Sequence, residues 1–254
     1  MTQPAQLPAQ LSDSLALLEK AISDACRAAD RPRSEVELLA ISKTHPAQTI
    51  VEAVSLGLHL FGESRVQEFA SKATVLSVSH IPGFTPTVRS QMEVHFIGQL
   101  QSNKATKAVE VFDAIDSVDS LRLAERLNTA VSDSVVHTKP MPILLEIKLS
   151  HEASKTGLTP GSTELNELLD RLPTLRHLEL QGLMTIGPLD VPEEETRACF
   201  RALHTLRGQL AQQRPRLNFP VLSMGMSSDF PVAIAEGATR IRVGTALFGP
   251  RENN

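Results

Sequence analysis

Residues 38–46 read LLAISKTHP, a short apolar run that carries a lysine near its end and stops at a proline. In an extended chain successive side chains alternate between faces, so Leu39, Ile41 and Lys43 share one face while Leu38 and Ala40 take the other. Comparable runs follow at 58–61, 94–97, 112–115, 143–147, 178–185, 220–223 and 240–243, making eight with 38–42. Helical patterns separate them: 47–56 stops at Gly57, Ser120 is placed to cap the next helix, and Pro192 with Glu193, Glu194 and Glu195 starts another. Strands alternating with helices predict a parallel sheet of βα units, and eight repeats favour a closed (β/α)8 TIM barrel of the α/β class over an open sheet.

The last run is followed only by residues 244–254, which leaves no C-terminal helix of useful length to cover it. Leu15, Leu18, Ile22, Cys26 and Ala29 fall at helical spacing. The expectation is that an N-terminal helix over 11–30 packs beside the eighth strand, with residues 1–10 disordered. Stretches 77–91 and 132–142, rich in Pro, Gly and Ser, read as loops rather than domain boundaries, so one domain is expected over 1–254.

Composition excludes several classes of partner. A net charge of -4 gives no broad basic field, so neither nucleic acid nor an anionic membrane surface is an expected partner, and any anion site must be local. The opening MTQPAQLPAQLSDS has no basic stretch leading into an apolar one, and no later segment is long and apolar enough to span a bilayer. A cytoplasmic location follows as the expectation. Cys26 and Cys199 sit far apart in helical patterns, where a small buried side chain is the simpler reading, and no Cys/His spacing suggests a metal site. The chain has no tyrosine and no tryptophan, which removes one common acid/base group from any mechanism.

In barrels of this type functional groups come from the C-terminal ends of strands and the loops after them. Lys43 is placed to point into the mouth. A lysine desolvated there has a depressed pKa and can offer the neutral amine that forms an imine with an aldehyde. Across the mouth, SMGMSSDF (223–230) and RIRVGTALFG (240–249) have the character of phosphate-binding loops. Gly244 permits close backbone approach, Thr245 and Ser227 offer hydroxyls, and Asp229-Phe230-Pro231 opens a helix. Arg240 and Arg242 occupy alternate positions of the eighth strand. One of them at least is expected to face a ligand, the alternative being pairing with Glu146 or Asp116. His95 reads as a hydrogen-bonded core histidine and His45 as a loop histidine.

Taken with FGESRVQE (61–68), HFIGQLQSNK (95–104), SVDS (117–120), SKTGL (154–158) and GLMTI (182–186), these stretches resemble, in order, the pyridoxal phosphate homeostasis protein family. That family is similar to the barrel domain of alanine racemase. The resemblance implies pyridoxal 5′-phosphate (PLP) held as a covalent aldimine on Lys43. It implies that Ser227 with the Gly244 and Thr245 backbone holds the phosphate, that Arg242 donates to the pyridine nitrogen, and that Ile41 and Met226 line the ring pocket. Guanidinium only donates, so a ring nitrogen paired with it stays unprotonated and the ring is a weak electron sink.

Little or no turnover is then implied, with buffering of PLP or its delivery to PLP-dependent apoenzymes as the role and a monomer as the expected state. Two other readings stay open: an amino-acid racemase working with one lysine and a water, and a cofactor-free aldolase in which Lys43 attacks a phosphorylated ketone. The chain departs from the family pattern at Ser64 and Arg65, where an asparagine and an aromatic residue are usual, so a hydrogen bond from position 64 near the cofactor is weakened or water-mediated. It departs again at LLEIKLS (144–150), where Lys148 follows Glu146 on one face. An ion pair between these two is expected, with a secondary imine site at Lys148 as the bolder alternative.

Overall fold

The computed structural model describes residues 11–78, 92–150 and 156–250. Its strands run β1 Glu37–Ile41, β2 Leu60–Glu63, β3 Glu93–Phe96, β4 Ala114–Val118, β5 Met141–Glu146, β6 Leu178–Met184, β7 Val221–Ser223 and β8 Arg240–Val243. They form a closed barrel in sequence order. All neighbours pair in parallel, and β1 closes on β8 with Glu37 opposite Arg240 and Leu39 opposite Arg242. The fold is the single-domain (β/α)8 barrel expected from the strand repeats.

Alternation along β1 sorts its side chains into two cores. Leu39 and Ile41 join Leu60 and Ile97 in a small cluster inside the barrel, whereas Leu38 and Ala40 belong to the larger core between the strands and the helices. Gly62 faces the inner cluster, since a Cβ there would lie 2.6 Å from Ile41 Cδ1. Gly182 answers a different need. It sits where the β5–β6 register shifts, at φ 150°, and a Cβ would stand 1.9 Å from the Val221 carbonyl oxygen. Only glycine fits so close a backbone approach.

The helices among the described residues include α1 Leu11–Ala28, α2 Ala47–Ser55, α3 Val66–Val78, α4 Ala105–Val111, α5 Leu121–Asp133, α6 Thr163–Arg171, α7 Glu193–Gln213, α8 Phe230–Ala235 and α9 Thr245–Phe248. Ser120 caps α5, its side chain accepting from the Leu123 N–H. The α1 stripe buries Leu11, Leu18, Ile22 and Cys26 and lies against α8 and α9, the two helices that flank β8. Each large side chain buried this way stabilises the fold by about 1.5–3 kcal/mol. Beyond α1, Arg31 Nη1 donates to the carbonyls of Ile234 and Ala238, both at 2.8 Å, which ties the same corner together.

Several boundaries differ from the sequence reading, each for a local reason. Strand four starts at Ala114 rather than 112, because Phe112 stacks on Phe69 and meets Phe96 edge-on in the outer core. Strand two runs on through Gly62 and Glu63, whose backbones pair with His95 and Phe96. The stretch 132–142 is a loop only between Asp133, which ends α5, and Met141, which begins β5. Of 77–91, residues 77 and 78 complete α3, and 79–91 lie outside the described residues, as do 1–10. Cys26 and Cys199 are buried and not joined in a disulfide. No helix among the described residues is long and apolar enough to cross a membrane.

Candidate functional site

The C-terminal ends of β1, β7 and β8 converge on one cavity of about 340 Å³. Ile41 and the half-buried Lys43 enter it from β1 and the turn that follows. Met226 and Ser227 come from the loop after β7, and Arg242, Gly244 and Thr245 from β8 and the start of α9. Seven of the residues singled out in the sequence are thus brought together. Ser64 is not among the lining residues. It is half-buried behind β3, where its carbonyl oxygen would stand 2.4 Å from a Cβ at Gly98.

The turn that carries Lys43 is tightly built. His45 N–H donates to the Ser42 carbonyl at 3.1 Å, and Thr44 between them takes φ 70°, a left-handed conformation seldom adopted by a β-branched residue. The Thr44 N–H donates to Glu68 Oε1 at 2.6 Å. His45, a loop histidine as expected, lies in this turn, lines the cavity and packs against the Phe248 ring with centroids 5.2 Å apart. Ile97, which completes the inner apolar cluster, lines the cavity too.

Arg242 is buried and fixed in orientation. Its Nη1 donates to the Ser223 carbonyl at 2.7 Å and to Ser223 Oγ at 3.0 Å, and its Nη2 donates to the Thr185 carbonyl at 2.8 Å. A guanidinium has five N–H groups, so donor capacity remains for the cavity side. Burial lowers its pKa from the ordinary arginine value, against the pull of Asp116, Asp229 and Glu146, and the group stays cationic. The described lining residues include the Arg242 guanidinium and no carboxylate, a composition that suits an anion. Ser227 Oγ stands 3.5 Å from the Ala246 N–H, a long contact that joins the β7 loop to the first turn of α9. Gly244 allows that junction, because a Cβ there would meet both Cβ and the carbonyl oxygen of Ile41 at 3.2 Å.

Arg240, although on the same face of β8, belongs to the opposite end of the barrel. It binds Glu37 through Nε at 3.0 Å and Nη2 at 2.9 Å, and Asp116 Oδ2 through Nη1 at 3.3 Å. The pairing with Asp116 that the sequence left open is therefore the one formed, and Arg242 is the arginine at the cavity. His95 joins that network, with Nδ1 2.8 Å from Asp116 Oδ1 and Nε2 2.9 Å from Glu93 Oε1. Burial works against its charge, but Asp116 and Glu93 outweigh it and raise the pKa to about 9.

The ion pair expected between Glu146 and Lys148 does not form. Glu146 instead accepts from Thr156 Oγ1 at 3.1 Å, because the chain returns alongside β5 at the Ile147–Leu158 bridge and brings Thr156 over the carboxyl. Burial pushes the Glu146 pKa up.

Comparison with known proteins bears on this arrangement. Residues 15–252 match the family described as alanine racemase, N-terminal domain. The chain is 38% identical over 243 residues to the pyridoxal phosphate homeostasis protein of Pasteurella multocida, covering 95% of this chain and 98% of the relative. It is 40% identical over 233 residues to the protein of the same name from Vibrio cholerae, covering 91% and 92%. The structure of PipY from Synechococcus elongatus PCC7942 with PLP bound superposes with a TM-score of 0.77 at 41% identity, over 94% of this chain and 100% of that one. Alanine racemase of Clostridium difficile 630 shares the fold, with a TM-score of 0.68 at 13% identity over 95% of this chain and 58% of that one. A full-length match in sequence and a closed barrel with its cavity at the ends of β1, β7 and β8 lead to one conclusion: the chain belongs to the alanine racemase N-terminal domain family and, within it, to the pyridoxal phosphate homeostasis proteins.

Proposed function

We propose that this protein binds PLP in the cavity between β1, β7 and β8 and takes part in PLP homeostasis, with Lys43 as the point of covalent attachment. The observation that carries the reading is the convergence of Lys43, Arg242, Ser227, Gly244 and Thr245 on one cavity that has no carboxylate among its described lining residues. The donor set fits the group: a primary amine for an aldehyde, a hydroxyl and backbone N–H groups for a phosphate, and a guanidinium for a ring nitrogen.

When bound, PLP supplies an aldehyde that condenses with primary amines and a ring that can withdraw electrons. Ser227 with the Gly244 and Thr245 backbone holds the phosphate end, and Ile41 and Met226 wall the ring. Arg242, pinned by Ser223 and Thr185, presents only donors to the ring nitrogen and so keeps it unprotonated. That choice favours retention and exchange of the cofactor over carbanion chemistry. In this reading the protein is a cytoplasmic monomer that buffers PLP or passes it to PLP-dependent apoenzymes.

A visible spectrum of the purified protein beside Lys43→Ala tests the reading. The wild type is expected to be yellow and to bleach with borohydride, leaving the label on Lys43. A colourless protein that stays so after adding PLP, or a Lys43→Ala protein as yellow as wild type, overturns it.

One observation favours a second reading. His45 lines the cavity next to Lys43 and could act as a second acid/base group, as a single-domain racemase would require. Deuterium uptake from solvent at Cα of alanine, serine or lysine at an enzymatic rate, lost in His45→Gln, would establish it.

A further inference from the structure

Behind the Lys43 turn, on the side away from the cavity, lies a buried ionic cluster that the binding reading does not use. Lys72 of α3 sits in the layer between barrel and helices, with Nζ 2.8 Å from Glu63 Oε1 at the end of β2 and 2.8 Å from Glu68 Oε1 in the first turn of α3. The same ammonium donates to the Ser42 carbonyl at 3.1 Å. Ser42 Oγ donates to Glu63 Oε1 at 2.8 Å, and the Thr44 N–H donates to Glu68 Oε1 at 2.6 Å.

Every one of these bonds to the turn after β1 falls on Ser42 or Thr44, the two residues that flank Lys43. Holding α3 against β1 and β2 would not by itself call for charge. A buried ion pair is often no more stabilising than apolar residues of the same volume, and Glu63 Oε2 is buried with no hydrogen-bond partner. What an ionic cluster adds over apolar packing is direction. It fixes a carbonyl before Lys43 and an N–H after it, and so holds Thr44 in the left-handed conformation that turns the chain at this point.

We infer that Lys72, acting through Glu63 and Glu68, is a positioning residue for Lys43: it clamps the backbone on both sides so that Nζ is presented to the cavity. The inference rests on the PLP-binding reading and adds to it a group, remote from the ligand, that governs the covalent part of binding alone.

The test separates covalent from non-covalent affinity. Wild type, Lys43→Ala, Lys72→Met and Lys72→Arg are titrated with PLP and with pyridoxine 5′-phosphate, which carries an alcohol in place of the aldehyde and is held only by the phosphate and ring contacts. Lys72→Met is expected to weaken PLP binding roughly tenfold or more while leaving pyridoxine 5′-phosphate unchanged, because misplacing an amine by about 1 Å is enough for such a loss. Lys72→Arg is expected to restore part of it. Glu68→Ala, at a partly exposed position, serves as the second variant if Lys72→Met does not fold, with the same expectation.

Equal losses for both ligands, or none for either, overturn the positioning role. A wild type that shows no preference for the aldehyde, or a preference that survives Lys43→Ala, instead overturns the underlying reading of Lys43. The two failures are therefore distinguishable.

Discussion

Arg242 is bonded twice to Ser223: its Nη1 lies 2.7 Å from the backbone oxygen and 3.0 Å from Oγ of the same residue. A strand end of β7 thus sets the plane of a guanidinium carried by β8, and the arginine cannot swing out without abandoning two buried acceptors. Replacing it with leucine takes the donor from the Thr185 carbonyl, at about 1–3 kcal/mol for an unpaired buried group, whereas the Ser223 carbonyl still accepts from the Thr185 N–H at 3.1 Å. Arg242→Leu is expected to lower Tm and to weaken PLP binding together. Ser223→Ala, which removes one bond and leaves the carbonyl contacts, is expected to do less of both. Thermal melts and PLP titrations check the order.

Lys43→Ala removes the amine at a half-buried position without opening the core. Its Tm without ligand is expected to stay close to that of wild type, and reduction with borohydride in the presence of PLP is expected to leave no labelled peptide. Label found on the peptide carrying Lys148 would instead establish the secondary imine site considered from the sequence.

The far end of the barrel predicts a pH dependence. His95 titrates near 6.5 in the unfolded chain and at about 9 when folded. Its folded pKa is raised, so the stability it contributes is fully present below about pH 6.5 and is lost as pH climbs through about 9. The difference of pKa corresponds to roughly 3 kcal/mol across that window. Wild type is expected to lose Tm between pH 6.5 and 9.5, and His95→Gln is expected to start lower and fall less steeply. Melting curves at the two pH values read this directly.

Gly182→Ala places a Cβ 1.9 Å from the Val221 carbonyl oxygen at φ 150°. A loss of about 3 kcal/mol or more is expected, with little of the protein recovered folded, since the clash falls within the β6–β7 pairing of the barrel. Gly208→Ala, where a Cβ meets nothing within 4 Å, is the matched control and is expected to melt at or slightly above wild type.

The barrel was legible because its strands are short apolar runs with turn residues at their ends, and the period of two along 38–43 was enough to point Lys43 inward. Depth along the barrel was not legible. Arg240 and Arg242 share a face, and only the register with β1, which sets Arg240 against Glu37 and Arg242 against Leu39, sends one to the base and the other to the mouth.

Contacts between segments distant in sequence were the other blind spot. Thr156 reaches back ten residues to Glu146, and Phe112 continues an apolar run yet packs against Phe69 of α3. Lys72 shows the same limit. Nothing local to α3 reveals that its ammonium reaches Ser42, thirty residues earlier.

The docking of α1 against α9 has a consequence for how the protein is made. The segment Leu11–Ala28 is made before Thr245–Phe248, against which it rests, and β1 is flanked on its second side only by β8. Lys43 is therefore in the chain well before the residues proposed to hold the phosphate, and on the proposed reading ligand capture must wait until Gly244 and Thr245 have docked beside it.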